Sequence, residues 1–400
     1  MDIVIARTLA LLVVAILVAI AARRLSLPYT VGLVLAGIAL TLSRFESGVA
    51  LTHDIIFDVI LPPLLFEAAL NIPWRELRRD MVPVVVFSVL GVVISAAIVV
   101  CGMNWLFAWP LKSALVFGVL IAATDPVAVI AMFKDTKLGG RLRLLVESES
   151  LFNDGVAAVL FGLALSWAQA DSISLWGASW SLVTISGGGI VIGLIAGALG
   201  VLVAGRTAEH IVEAAVTTVV AYGAFLSAEH LHVSGVLATV SAGLLMGGLG
   251  VRGKNASFGF SSDGRTFVLE MWEFAAFIAN SLVFLLIGLT AARVPFQQVG
   301  WAPLAAAIIL VLIGRGATVY PLSLLFARSH WRVDLREQHV LWWGGLRGAL
   351  ALALALSLPP ALPLRDAIVI ATFAVVAFSV LVQGLTMKTF LRTLRFLPPH

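Results

Sequence analysis

Charge is scarce in this chain. Only 12% of its 400 residues are Asp, Glu, Lys or Arg, against 60% hydrophobic, and the mean hydropathy is +1.05. That balance excludes a water-soluble globular domain. Cysteine is scarcer still: Cys101 stands alone, which excludes an intrachain disulfide framework and a cysteine-based metal cluster. Long polar stretches are missing too. The longest, VRGKNASFGFSSDGR at 251–265, is a Gly/Ser-rich linker between two halves of an apolar chain. The reading is therefore a single membrane domain over 1–400, with that linker on the cytoplasmic side and no sizeable soluble tail.

The chain has what a multi-pass membrane protein needs. Apolar runs near the ~20 residues that cross ~30 Å of hydrocarbon fall at 3–22, 29–43, 52–70, 81–107, 111–133, 144–168, 178–204, 209–228, 233–250, 266–292, 298–327, 337–357 and 365–390. The expected fold is all-α with about thirteen transmembrane helices. AIAA at 19–22 offers a signal-peptide cleavage pattern, but Arg23 and Arg24 behind it favour retention as an anchor. Nineteen Lys and Arg lie in the connections after odd-numbered segments and at the C-terminal end; the other side holds only Arg44, Lys112, Arg293 and Arg365. Because cytoplasmic loops collect Lys and Arg, this places the C-terminus inside and the N-terminus outside. The same bias accounts for the pI of about 9.6, so no nucleic acid partner is expected. Asn255-Ala256-Ser257 fits a glycosylation sequon but falls on the cytoplasmic side.

Ionisable residues inside the spans carry the functional argument. Each costs roughly 2.5–3.5 kcal/mol on insertion scales, so each faces a cavity or a partner. The residues concerned are Glu67, Asp125, Glu149, Asp154, Arg315 and Arg347. Pro126 follows Asp125; it has no N–H and biases its neighbour toward extended backbone, so the helix should break near Thr124–Pro126. In lipid such a break survives only in protein or beside a watery cavity, although a plain kink reads the same way. Gly344, Gly345 and Gly348 surround Arg347 some 220 positions later, and interrupted helices in corresponding places of two halves point to an inverted-repeat transporter.

Helical spacing orders the residues further. Positions i and i+4 share a face, so Ser150 stacks with Asp154 and Glu149 with Asn153. Hard monovalent cations such as Na⁺ seek oxygen ligands; Asp154, Ser150, Thr124 and a carbonyl at the break offer them. A lone carboxylate in a low-dielectric cavity disfavours its charged form, so protons and cations compete for it. Arg315 demands a counter-ion, and Glu149 is its natural partner unless that carboxylate faces a watery entrance. Arg347 binds either freed carbonyls or Asp125. Gly189, Gly193 and Gly197 form a small-residue stripe, read equally as intramolecular packing or as a dimer contact.

TDPVAV at 124–129, ESESLFNDGVAAVLF at 147–161 and GGLRGALALAL at 344–354 resemble the signature stretches of monovalent cation:proton antiporters, the family that includes the sodium/hydrogen exchangers and their prokaryotic homologues. The resemblance covers essentially the whole chain. It implies thirteen spans, crossed discontinuous helices, elevator-like alternating access, electroneutral 1:1 exchange, a homodimer built on segments 1 and 7, and a multi-pass protein of a prokaryotic plasma membrane with lipid around it. By position it implies Asp154 as the carrier of Na⁺ and proton, Asn153 as its motif partner, and Thr124, Ser150 and, through water, Glu67 as the rest of the cation site. Asp125 and Arg347, beside Pro126, would compensate the broken-helix dipoles, and Glu149 with Arg315 would form a stabilising ion pair. Asn153 in place of a second Asp is similar to electroneutral members. Relatives often carry a large cytoplasmic tail, whereas about ten residues follow the last span here.

Rival readings have specific costs. A channel would favour a filter repeated around a symmetric pore. An intramembrane hydrolase needs a nucleophile with a base; His210, His230 and His232 fall at span ends without a Gly-x-Ser-x-Gly element. No catalytic residue and no cofactor are assigned. K⁺/H⁺ exchange on the same fold is the alternative to exchange of Na⁺, or Li⁺, for H⁺, since cavity size and ligand rigidity decide between the ions.

Overall fold

The computed structural model describes residues 2–25, 27–43, 51–136, 138–169, 175–252 and 259–397. Arg44 and the Asn255–Ser257 sequon lie outside them, as does the middle of the 251–265 linker. Among the described residues all regular structure is helical, as expected where each backbone N–H and C=O must find a partner without water.

The helices are α1 (Asp2–Leu25), α2 (Tyr29–Leu42), α3 (Leu61–Asn71, entered through a π-helical stretch Ile55–Ile60), α4 (Trp74–Phe107), α5 (Leu111–Leu120), α6 (Val127–Thr136), α7 (Arg141–Gln169), α8 (Leu175–Ala204), α9 (His210–His230) and α10 (Gly235–Leu245, continued by a π-helical stretch Met246–Val251). There follow α11 (Ser262–Ala291), α12 (Trp301–Leu325), α13 (Leu335–Trp343), α14 (Ala349–Leu356), α15 (Arg365–Phe378) and α16 (Gly384–Thr393), the last two joined by π-helical Ser379–Gln383. Every apolar segment read from the sequence contains helix. Among the described residues, seven helical runs are long and apolar enough to cross a membrane on their own. Two segments are broken in the middle, α5/α6 and α13/α14, and these are the segments carrying Pro126 and the Gly344–Gly348 cluster.

Prolines explain several contacts between helices. Pro83 cannot donate to the Arg79 carbonyl four residues back; Asp80 departs from helical geometry there (φ −104°, ψ 16°), and the Trp331 indole donates to the Arg79 carbonyl at 2.6 Å. Arg141 fastens the same corner, donating to Asp80 Oδ1 at 2.8 Å and to the carbonyls of Trp331 and Arg332 at 2.9 and 2.6 Å. Pro63 likewise leaves the Val59 carbonyl without its helical donor, and the Tyr222 hydroxyl supplies one at 3.0 Å. The kink at Asp80 falls at the start of the fourth segment as read from the sequence, near 81; the stretch before it, from Trp74, is also helical but too polar to be read as a span.

Packing is closest where glycine removes the side chain. On α2 and α11, a Cβ at Gly37 would sit 2.3 Å from the Leu285 carbonyl oxygen, and one at Gly288 would sit 2.2 Å from that of Val34. The Gly189/Gly193/Gly197 stripe of α8 meets α10 in the same way, with added Cβ atoms 2.4, 2.1 and 3.0 Å from the carbonyl oxygens of Ser234, Ala238 and Ala242. Of the two readings of the stripe, intramolecular packing accounts for the contact seen. The close approach is real, but its partner belongs to the same chain, so these three positions are closed to a second copy. Large apolar residues such as Leu17, Val183, Val219, Ile309 and Leu324 remain exposed on the outside, as a lipid-facing surface requires.

Gly193→Leu should cost about 1–3 kcal/mol of stability, the usual range for overpacking. Gly187→Leu, at a position with nothing within 4 Å of an added Cβ, should be near neutral. Thermal unfolding of the two variants in detergent checks the difference.

Candidate functional site

The two broken helices meet at their breaks. Between α5 and α6, residues 123–126 leave helical geometry, and between α13 and α14 so do 345–348. The Asp125 N–H donates to the Leu346 carbonyl at 2.8 Å, joining the two stretches directly. Each break exposes a helix N-terminus with free N–H groups and a partial positive charge. One carboxylate serves both: Asp125 Oδ1 accepts from Val127 N–H at 3.0 Å, and the Asp125 side chain also accepts from Ala349 N–H. The approach leaves no room for a Cβ at Gly348, which would fall 1.8 Å from Asp125 Oδ2.

Helix α7 braces the first break. Asn153 accepts from Thr124 N–H at 3.2 Å through Oδ1 and donates to Thr124 Oγ1 at 2.6 Å through Nδ2. The Ser150 hydroxyl donates to the Thr124 carbonyl. One turn of α7 thus satisfies the N–H, C=O and hydroxyl of a residue that has lost its helix. Having spent its proton there, Ser150 keeps its lone pairs for another ligand.

The second break is held by cations. Arg315 on α12 grips Glu149 through both Nη atoms, the Nη2–Oε2 distance being 2.7 Å. It also donates from Nε and Nη2 to the Leu341 carbonyl near the end of α13, at 3.1 and 3.0 Å. Both side chains are buried, so the fork geometry and the extra carbonyl offset a desolvation cost that a looser pair would not. Arg347, 1% exposed, donates from Nη1 to the Gly345 carbonyl at 3.1 Å. Of the two partners expected for it, its hydrogen bond goes to the freed carbonyl.

The i, i+4 spacing divides α7 into two working faces. Glu149 and Asn153 look onto a small void with Arg315 and Arg347. Ser150 and Asp154 line a cavity of about 350 Å³ together with Thr124, Asp125 and Glu67. Asp154 differs from its neighbours in having no hydrogen bond or ion pair among the described residues; Asp125 and Arg347 are its charged neighbours. Glu67 accepts from Asn71 Nδ2 at 2.8 Å.

Some lining residues carry no signal in the sequence. Thr30 and Asn280 are neutral residues in apolar helices, brought to the cavity by the packing of α2 against α11. Lys134 and Glu273, paired at 3.1 Å, are 139 positions apart. Arg143–Glu147, at 2.8 Å, was legible as an i, i+4 pair, as was Glu67–Asn71.

Residues 9–393 match the family described as "Sodium/hydrogen exchanger, transmembrane". The chain is 41% identical over 372 residues to the Na(+)/H(+) antiporter ApNhaP of Aphanothece halophytica, covering 92% of this chain and 70% of that one. It is 39% identical over 385 residues to the low-affinity Na(+)/H(+) antiporter NhaS1 of a Synechocystis species, with the same coverage. In architecture it resembles the sodium proton antiporter MjNhaP1 of Methanocaldococcus jannaschii, with a TM-score of 0.77 and 20% identity over 98% of both chains.

Removing one member of the buried pair should cost about 3–5 kcal/mol, because the other charge is left bare. Glu149→Gln and Arg315→Met should each lower the unfolding temperature sharply, and the double variant should lose less than the sum. A double-mutant cycle by thermal unfolding reads this coupling.

Proposed function

We propose that this chain, which belongs to the transmembrane sodium/hydrogen exchanger family, is a secondary antiporter that exchanges Na⁺ for H⁺ one for one across the cell membrane. The observation that carries the proposal is Asp154: a carboxylate in the wall of a cavity that also holds hydroxyl and carboxylate residues, with no hydrogen bond or ion pair among the described residues.

The chemistry follows from that isolation. A bare carboxylate in a low-dielectric site is costly, so Asp154 holds either a proton or a cation. Thr124 and Ser150 stand beside it in the cavity wall, and Glu67 reaches the same cavity; hydroxyl, carboxylate and water suit a hard cation. Asn153 acts indirectly, by fixing the break at Thr124. Asp125 and Arg347 balance the ends of the interrupted helices, and Glu149–Arg315 locks α7 to α12. With a single carboxylate free to exchange guests, each Na⁺ carried one way answers one proton carried the other. Alternating access then carries the loaded site from one face to the other, with the N-terminus outside and the C-terminus inside. The homodimer implied by the family likeness would use the outward apolar faces of α1 (Leu9, Val13, Leu17) and α8 (Val191, Ile195, Leu199), away from the glycine stripe.

Purified protein in liposomes with a lumenal pH dye tests the reading. The wild type should dissipate a pH gradient on addition of Na⁺ with no net charge movement, and Asp154→Asn should be silent; full exchange by the variant would overturn the assignment. Competition has its own signature. On the acid side, the apparent KM for Na⁺ should climb by up to about tenfold per pH unit, since each unit multiplies the competing proton by ten. A KM independent of pH contradicts competition at one site.

A further inference from the structure

Part of the cavity wall is made by α2 and α11. Two residues of that wall, Thr30 and Asn280, each hold an oxygen buried without any hydrogen-bond partner, Oγ1 and Oδ1 respectively. Thr30 is 1% exposed. Buried polar atoms are nearly always satisfied by protein, water or a bound ion, so two orphans on residues that line one cavity point to a ligand taken from it. Their frame is rigid. The neighbouring Tyr29 and Ser281 side chains are hydrogen-bonded, Tyr29 stacks on Phe277 with centroids 5.4 Å apart, and the Gly37 and Gly288 contacts hold α2 against α11 without intervening side chains.

The electrostatics of the cavity select the ligand. Carboxylates at Glu67, Asp125, Glu147, Asp154 and Glu273 line it, against the cations Lys134 and Arg143, each of which is paired with one of those carboxylates. The surplus is negative, and a narrow cavity concentrates its field, so a cation is drawn in and an anion is not. Hydroxyl and amide oxygens are ligands for a hard monovalent cation.

We propose that Thr30 Oγ1 and Asn280 Oδ1 form a second, neutral oxygen subsite where the transported Na⁺ rests, partly hydrated, before and after it sits on Asp154. The subsite rests on the antiport reading above and deepens it. Neutral ligands hold a cation weakly enough to release it again, a condition for passage through any multi-site pathway. They also have no proton to exchange. The subsite therefore changes how readily Na⁺ is captured and leaves the proton competition to Asp154.

The test is Na⁺-driven proton efflux from liposomes holding the full chain, with Thr30→Val and Asn280→Leu, which remove the oxygens at nearly constant volume. Each should raise the Na⁺ KM roughly three- to tenfold, the effect of losing one contact of hydrogen-bond strength. The rate at saturating Na⁺ should be retained, as should the pH dependence. Thr30→Ser, which keeps the hydroxyl, should restore the wild-type KM. Asn280→Asp should lower the KM at pH 8, and it reads the same subsite if an apolar variant fails to fold. Unchanged KM in Thr30→Val and Asn280→Leu overturns the subsite, as does a Thr30→Ser variant that behaves like Thr30→Val, or an Asn280→Asp variant with unchanged or raised KM. Failure of the antiport reading looks different: the wild type in the same vesicles would exchange no protons for Na⁺, whatever stands at positions 30 and 280.

Discussion

A backbone that stops being helical inside hydrocarbon must find new partners for the groups it frees, and this constraint organises the centre of the molecule. Four helix ends converge there, two with free N–H groups and two with free carbonyls. Asp125 meets both positive ends. The carbonyls go to Arg315, Arg347 and Ser150. Nearly every charged or hydroxyl-bearing residue of the centre is thereby committed to holding backbone, and Asp154 is conspicuous because it is not.

The contrast between the two faces of α7 follows from the same rule. Toward α12, Glu149 is neutralised by a forked guanidinium and Asn153 has both amide atoms occupied. Toward the cavity, Ser150 retains its lone pairs and Asp154 faces open space. A buried polar cluster that is fully satisfied is rigid, and one left partly unsatisfied has a reason to bind something. The proposed exchange uses that difference: the rigid face fixes the geometry and the hungry face does the carrying.

Much of this was legible in the sequence, for identifiable reasons. Apolar runs reveal helices because the solvent is uniform hydrocarbon; Pro126 points to a break because it lacks an N–H and disfavours helix before it, and the Gly344–Gly348 cluster because glycine supports a helix poorly. Ser150 beside Asp154 and Glu149 beside Asn153 follow from helical spacing alone. Other features had no local signal. A glycine stripe announces that a backbone comes close but not whose, so the partner of Gly193 could not be read. Thr30 and Asn280 are ordinary residues until the packing of α2 on α11 brings them to the cavity. The helical stretch before the Asp80 kink was hidden by its own arginines, which look like loop.

The corner around Arg79 has a consequence for durability. There the chain is stitched by an indole and a guanidinium reaching main-chain oxygens at Arg79, Trp331 and Arg332, with only Asp80 supplying a formal opposite charge. Short donor contacts to carbonyl dipoles lose little to a Debye atmosphere, whereas separated surface charges lose much of their attraction to it. A protein whose proposed cargo is itself an electrolyte is fastened at this point by bonds that rising ionic strength leaves largely intact.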